Sequence, residues 1–349
     1  MIDPAALRRP RRLAAGDRIA VVSLSWGGPG AFPDRYEAGV RQLEHAFGVQ
    51  VTPMPNALRE PAWLEANPRA RAEDLMTAFA DPDIAGIVSS IGGDDSIRTL
   101  PFIDPTVIAD NPKVFLGYSD STITQMACLR AGLVSFYGPS IMSGFGESGG
   151  LFPYMVDGVR RTLFEPEEPL DWPPNDDGWT VQHLDWADRA NQDRRRELRP
   201  ATGWRWLGGA PAEGPVVAGC LEVLDWLRGT AWWPDLDGSV LALETTEEQP
   251  PPQTVARFLR SIAASGDLGR VAALVLGRPG GSDLPLDEHV RYDEAVTAVV
   301  RDEEGLDRLP IVTGVDFGHT DPIWTLPIGM PARVDPDRRS ISFLRSGVV

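Results

Sequence analysis

The chain is poor in the residues that commit a protein to several common chemistries. Its 349 residues include two cysteines, Cys128 and Cys220, neither in a Cys-x-x-Cys pair nor at metal-ligand spacing from a histidine. That excludes a disulfide scaffold and reads as two small buried apolar side chains in a reduced, cytoplasmic setting. No run of eighteen apolar residues occurs, and the basic start, Met1 to Arg12, leads into no apolar stretch. Neither a spanning helix nor a secretory signal is expected. Positive charge is scarce: 33 Lys and Arg against 50 Asp and Glu leave a formal charge of −17. Such acidity argues against nucleic acid and anionic membranes as partners. No P-loop or His-Glu-x-x-His motif is present. Gly28-Pro29-Gly30 fails the dinucleotide fingerprint because Pro33 stands where the last glycine belongs. No cofactor and no metal are expected.

What is present is alternation of strand and helix patterns. Arg18 to Ser25, Gln50 to Met54, Ile84 to Ile91 and Val114 to Leu116 read as apolar, β-branched strands. Asp34 to Phe47, Arg69 to Ala80 and Ser121 to Ala131 carry helical spacing between them. Continuous apolar strands separated by helices predict a parallel sheet covered on both faces. Residues 166–203 change character, rich in Pro, Asp, Trp and Arg with no sustained period. A second α/β pattern follows, with strands at Ser239 to Glu244, Val271 to Leu276 and Ile311 to Val315, a helix at Thr254 to Ala263, and an alternating edge strand at Ser340 to Leu344.

The run Gly117-Tyr118-Ser119-Asp120-Ser121 puts a serine at a strand-to-helix corner. A hydroxyl there is either an exposed nucleophile or a helix N-cap. The turn Gly92-Gly93-Asp94-Asp95 follows the preceding strand, where glycine permits close backbone approach. With the helix start behind Ser119, it offers the Gly93 and Asp120 N–H groups as candidate oxyanion donors. Asp94-Asp95 has no companion metal ligand, so capping is the plainer role. Among four histidines, His45 lies in an amphipathic helix, His183 in the Trp-rich stretch and His289 in a polar, solvated helix. His319 follows a strand on a Gly-containing loop, where it is either a general base or an ordinary loop histidine. Glu244 ends an apolar strand and is a candidate to orient that base. Trp172, Trp179, Trp186, Trp204 and Trp206 are packing residues by type, although a flat exposed ring can stack on a base or sugar.

Together these residues resemble serine peptidase family S66, the family of LD-carboxypeptidases and microcin C immunity proteins. The resemblance is carried in order by Ser90 to Arg98, Phe115 to Thr122, Leu241 to Thr245 and Gly314 to His319, with Phe136-Tyr137-Gly138-Pro139 and Gly203 to Leu207 fitting as well. Gly-Gly-Asp-Asp-Ser is closer to the MccF-like branch. The resemblance implies an α/β fold. A Rossmann-like, parallel-sheet N-terminal domain (1–165), a crossover (166–203) and a C-terminal α/β domain (204–349) would form a homodimer, with the active site at the domain interface. It implies Ser119 as nucleophile, His319 as base, Glu244 as its orienter, and Gly93 and Asp120 as oxyanion donors. The expected substrate is an aminoacyl or peptidyl nucleotide of the microcin C type, contacted by Asp94, Trp186 and Trp204, with Trp186 stacking on adenine. The alternatives are an LD-carboxypeptidase for murein tetrapeptides and a non-catalytic ligand-binding protein. Two departures stand out. Ala218-Gly219-Cys220 replaces a frequent Gly-Gly-Asn, and Glu247-Glu248 follow Glu244 where the MccF-like branch can carry a basic residue. A carboxylate there opposes a phosphate by about 1–4 kcal/mol at close range.

Overall fold

The computed structural model describes residues 1–281 and 284–349. Its strands are β1 (Arg18–Val22), β2 (Gln50–Pro53), β3 (Ile84–Ser89), β4 (Val114–Gly117), β5 (Ser135–Tyr137), β6 (Leu170–Trp172), β7 (Arg205–Trp206), β8 (Ala212–Cys220), β9 (Val240–Glu244), β10 (Ala273–Gly277), β11 (Ile311–Val315), β12 (Leu326–Ile328), β13 (Pro331–Asp335) and β14 (Ser340–Phe343). Two sheets result, with orders β12-β5-β4-β3-β1-β2 and β6-β14-β13-β8-β9-β10-β11-β7. In the first, β2, β1, β3, β4 and β5 are parallel, and β12 closes one edge antiparallel.

The side-chain period of a strand explains the layering. Ala20 and Val22 of β1 join a cluster with Ala72, Leu75 and Phe79 of the helix Pro68–Ala80. Ile19 and Val21 point the other way, into a cluster with Tyr36, Leu43 and Phe47 of the helix Pro33–Phe47. Both faces are thus covered, as continuous apolar strands require. The helices Pro33–Phe47, Pro61–Ala66, Pro68–Ala80, Pro105–Asp110, Pro153–Val159 and Pro252–Ala264 each begin on proline. Its fixed φ suits the first turn, where no N–H is needed.

The second sheet has a parallel centre, β8-β9-β10-β11. Antiparallel strands flank it: β13, β14 and β6 on one side, β7 on the other. The expectation of an edge strand at Ser340 to Leu344 is corrected here. β6, drawn from the aperiodic stretch, pairs outside β14 and takes the edge. The same stretch is tied down further by bridges of Trp179 to Arg199 and of Thr180 to Asp321. One apolar cluster runs from Phe79, Ile87 and Phe115 through Met126 and Cys128 to Leu221, Leu241 and Phe258, so the two sheets share a core. Among the described residues, no helix is long and apolar enough to cross a membrane.

Candidate active site

Ser119 follows β4 at φ +60°, one of three non-glycine residues at positive φ among those described. That conformation costs an L-residue about 1–2 kcal/mol and persists only where neighbours hold it. They do: the Ser119 N–H donates to the Tyr137 hydroxyl at 3.0 Å, and the Thr122 hydroxyl donates to the Ser119 carbonyl at 2.7 Å. The Ser119 side chain caps no helix. Its Oγ lies 3.0 Å from His319 Nε2. Next to it is Gly92, in the turn that follows the neighbouring parallel strand β3. A Cβ on Gly92 would stand 2.8 Å from both Cβ and Oγ of Ser119, so the two turns approach this closely only because Gly92 has no side chain.

Glu244 and His319 come from the second sheet. Glu244 closes β9 and His319 follows β11, with β10 between them. Glycine again makes the room. A Cβ on Gly277, at the end of β10, would lie 2.8 Å from the Glu244 Cβ, and one on Gly318 (φ +91°) would lie 2.5 Å from Glu244 Oε2. The buried Glu244 carboxylate therefore reaches His319 Nδ1 at 2.7 Å and also accepts the His319 backbone N–H at 3.3 Å. These contacts fix the ring and the proton on Nδ1.

Tyr137 joins the two halves. Its hydroxyl accepts from the Ser119 N–H and donates to Glu244 Oε1. A second tie runs through Thr122, whose hydroxyl accepts the Cys220 N–H at 3.0 Å. Nothing in the local sequence marks Tyr137, a β-strand aromatic, as more than core. Tyr137→Phe leaves two buried groups unpaired and is expected to cost about 1–3 kcal/mol of stability. It should lower kcat more than it changes KM. Chemical denaturation and steady-state kinetics check both effects, and an unchanged kcat would deny Tyr137 a positioning role.

The Asp120 carboxylate is 1% exposed and accepts from the Asp95 N–H at 3.0 Å, the Ser96 N–H at 2.8 Å and the Ser96 hydroxyl at 2.6 Å. It caps the turn that begins at Ser96, a role expected of Asp94-Asp95. By doing so it locks the Gly92-Gly93 turn onto the Ser119 turn. Among the described residues, neither the Gly93 nor the Asp120 N–H has a protein acceptor. Gly93 sits at φ +141°, and a Cβ there would come 2.3 Å from Ser25 Oγ.

Charge at the site is negative. Burial opposes protonation of His319, but Glu244 and Glu247 together outweigh it and hold the imidazole pKa well above its ordinary value. Glu247 Oε2 lies 3.0 Å from His319 Nε2, and this hydrogen bond, against some desolvation, holds the Glu247 carboxyl down to about 2. Behind His319, Arg196 binds Glu147 (2.9 Å) and Asp321 (2.7 Å), joining the aperiodic stretch to both halves.

The other expected contacts are dispersed. Asp94 is exposed beside Gly93. Trp186 is half-buried, with the Arg35 guanidinium 4.8 Å from its ring centre and Phe32 edge-on at 5.8 Å. Trp204 gives its indole N–H to Asp316 at 2.7 Å and packs against Trp172, with no hydrogen bond to Ser119, Glu244 or His319. Trp26, passed over in the sequence, is 37% exposed, and its backbone N–H donates to the Gly92 carbonyl. Its place directly after the first strand was the available signal. The solvated reading of His289 is corrected: it is 2% exposed and packs against Trp179.

Two sheets that aim a serine hydroxyl, an imidazole and a buried carboxylate at one another define the architecture of a serine peptidase. The chain belongs to the S66 peptidase family. Residues 19–138 match the family's LD-carboxypeptidase N-terminal domain and residues 213–334 its C-terminal domain. A relative from Synechocystis with a carboxypeptidase name is 31% identical over 98% of this chain and 99% of its own length. The microcin C7 self-immunity protein MccF of Escherichia coli is 27% identical, covering 95% of this chain and 94% of that protein. A structure of MccF with aspartyl sulfamoyl adenosine superposes with TM-score 0.85 at 25% identity, over 98% of this chain and all of that one (100%). An MccF-like protein from Streptococcus pneumoniae, bound to AMP, gives 0.83 at 28% identity over 94% and 98% of the two chains.

Proposed function

We propose that this S66 peptidase hydrolyses an amide through an acyl-enzyme on Ser119, with His319 as general base and Glu244 orienting it. The observation that carries the reading is the continuous relay from Ser119 Oγ to His319 Nε2 (3.0 Å) and from Nδ1 to Glu244 (2.7 Å). In the reacting tautomer, Nε2 takes the serine proton as Oγ bonds to the carbonyl carbon. The oxyanion meets the Gly93 and Asp120 N–H groups. The same proton then passes to the departing nitrogen as the C–N bond breaks. Water, deprotonated by His319, attacks the ester, and Ser119 leaves with that proton. Residues 1–165 supply the nucleophile and 204–349 the acid–base pair.

The substrate class best supported is an aminoacyl or peptidyl nucleotide, by likeness to MccF and to a neighbour holding AMP. Trp26, exposed beside the oxyanion donors, and Trp186 further out are the rings available to a base. The family's LD-carboxypeptidase description supports a second reading, cleavage of murein tetrapeptides. Side-by-side assays on aspartyl sulfamoyl adenosine and a murein tetrapeptide decide between them. Release of aspartate, absent in Ser119→Ala, is the expected result. Cleavage of the tetrapeptide alone would hand the site to the second reading.

A further inference from the structure

Glu247 Oε2 and Ser119 Oγ each lie 3.0 Å from one nitrogen, His319 Nε2. The two oxygens are therefore no more than two hydrogen-bond lengths apart, and Glu247 borders the carbonyl that Ser119 would attack. The α-ammonium of an aminoacyl group sits two bonds from that carbonyl carbon, inside the same span. From this geometry we propose that Glu247 receives an ammonium on the acyl half of the substrate, the half that stays on Ser119. The proposal rests on Ser119 and His319 acting as nucleophile and base. It deepens that reading by naming what the acyl side must carry: a free, protonated amine that reaches the scissile carbonyl. An aminoacyl nucleotide meets this through its α-amino group. A murein tetrapeptide meets it through the side-chain amine of a diamino acid before the cleaved bond.

Three observations support it. The first is charge balance through the reaction. Among the described residues, Glu247 has no ion-pair partner except His319. In the acyl-enzyme the serine proton has left with the departing nitrogen, and His319 is neutral so that it can deprotonate water. Glu244 at Nδ1 and Glu247 at Nε2 then flank an uncharged ring. The leaving group is gone at this step, so an ammonium on the acyl group is the cation that can balance them. Second, the neighbouring guanidiniums are committed elsewhere. Arg71, Arg196 and Arg278, which reach the surrounding loops, end on Asp95, on Glu147 and Asp321, and on Asp316. Third, the Glu247 side chain is 72% exposed while its loop is pinned on both flanks, so the carboxylate can turn from the imidazole to a substrate and stay in the cleft. Glu222 accepts the Thr246 hydroxyl at 3.2 Å, and the Thr245 hydroxyl accepts the Gly280 N–H at 3.3 Å. Paired with an ammonium, Glu247 no longer presents a net charge to the leaving side, so a carboxylate or sulfamate there is not opposed.

The test uses two phosphonofluoridates that share fluoride as leaving group. The arm retained on phosphorus is a propyl chain ending in trimethylammonium or in the isosteric tert-butyl group. Ser119 Oγ bonds to phosphorus, the P–F bond breaks, the serine proton goes to His319 and fluoride departs. The ratio of cationic to neutral labelling rate constants should be about tenfold or more higher in the native chain than in Glu247→Gln. In Glu247→Lys it should drop below the Glu247→Gln value. Comparing ratios between variants cancels the intrinsic reactivity of the probes. A second pair carries the same two end groups on a departing thiolate instead, and Glu247→Gln should change its ratio less. Equal ratios for the first pair in the native chain and Glu247→Gln, or a larger effect on the thiolate pair, overturn the proposal alone. No labelling of the folded native chain by any probe overturns the serine reading, and the proposal with it.

Discussion

Ser119→Ala should lower amide hydrolysis by about 10⁴–10⁶-fold while the chain stays folded. The substitution removes one atom, Oγ. The backbone at φ +60° already pays its cost with a Cβ present, and the N–H bond to Tyr137 and the carbonyl bond from Thr122 survive. Thermal unfolding should therefore stay close to that of the native chain. His319→Ala should be almost as damaging, and the double variant no worse than Ser119→Ala, because groups that act as one unit lose their effect together. The measurement is release of the acyl product under saturating substrate. A Ser119→Ala chain within tenfold of native activity would end the acyl-enzyme reading.

Gly92→Ala should be nearly as informative. The added methyl would sit 2.8 Å from Cβ and Oγ of Ser119 and 3.5 Å from the Asp120 nitrogen. No rotamer of an alanine relieves that contact, so the two turns must move apart. A displacement of about 1 Å at reacting atoms can cost roughly 10²-fold in rate. The loss should fall on kcat and on labelling of Ser119 alike, while CD and the unfolding midpoint change little. Native rates in Gly92→Ala would mean that Ser119 does not need the neighbouring turn at this distance.

Ser119, Glu244 and His319 were each left open by position alone, and what drew them together was their order along the chain and the family resemblance. The three side chains meet in one relay. Tyr137 was not legible, since a buried tyrosine in a short strand looks like packing until its hydroxyl is placed. Asp120 was read for its backbone alone, because its carboxylate serves a turn 24 residues upstream. His289 misled in the opposite direction. The polar composition of the helix Leu286–Thr297 hides its buried face, where His289 packs against Trp179 beside the buried Tyr292, Asp293 and Val296. The edge of the second sheet was missed because β6 lies in a stretch without period. Glu247 was noticed as an obstacle to phosphate, but its contact with the imidazole depends on a loop fold that spacing does not encode.

The relay spans 200 residues of chain, from Ser119 to His319, and the contact that joins the serine to the imidazole crosses between the sheets, as does the Tyr137 bond to Glu244. A ribosome that has released only the first half has made a serine with no base, no carboxylate and a Tyr137 with nothing to donate to. In the proposed role of nucleophile, Ser119 is silent by topology until the strand before His319 has been made. Turnover by this enzyme is thus a readout of complete folding: any fraction of molecules stalled with one half formed contributes mass but no catalysis.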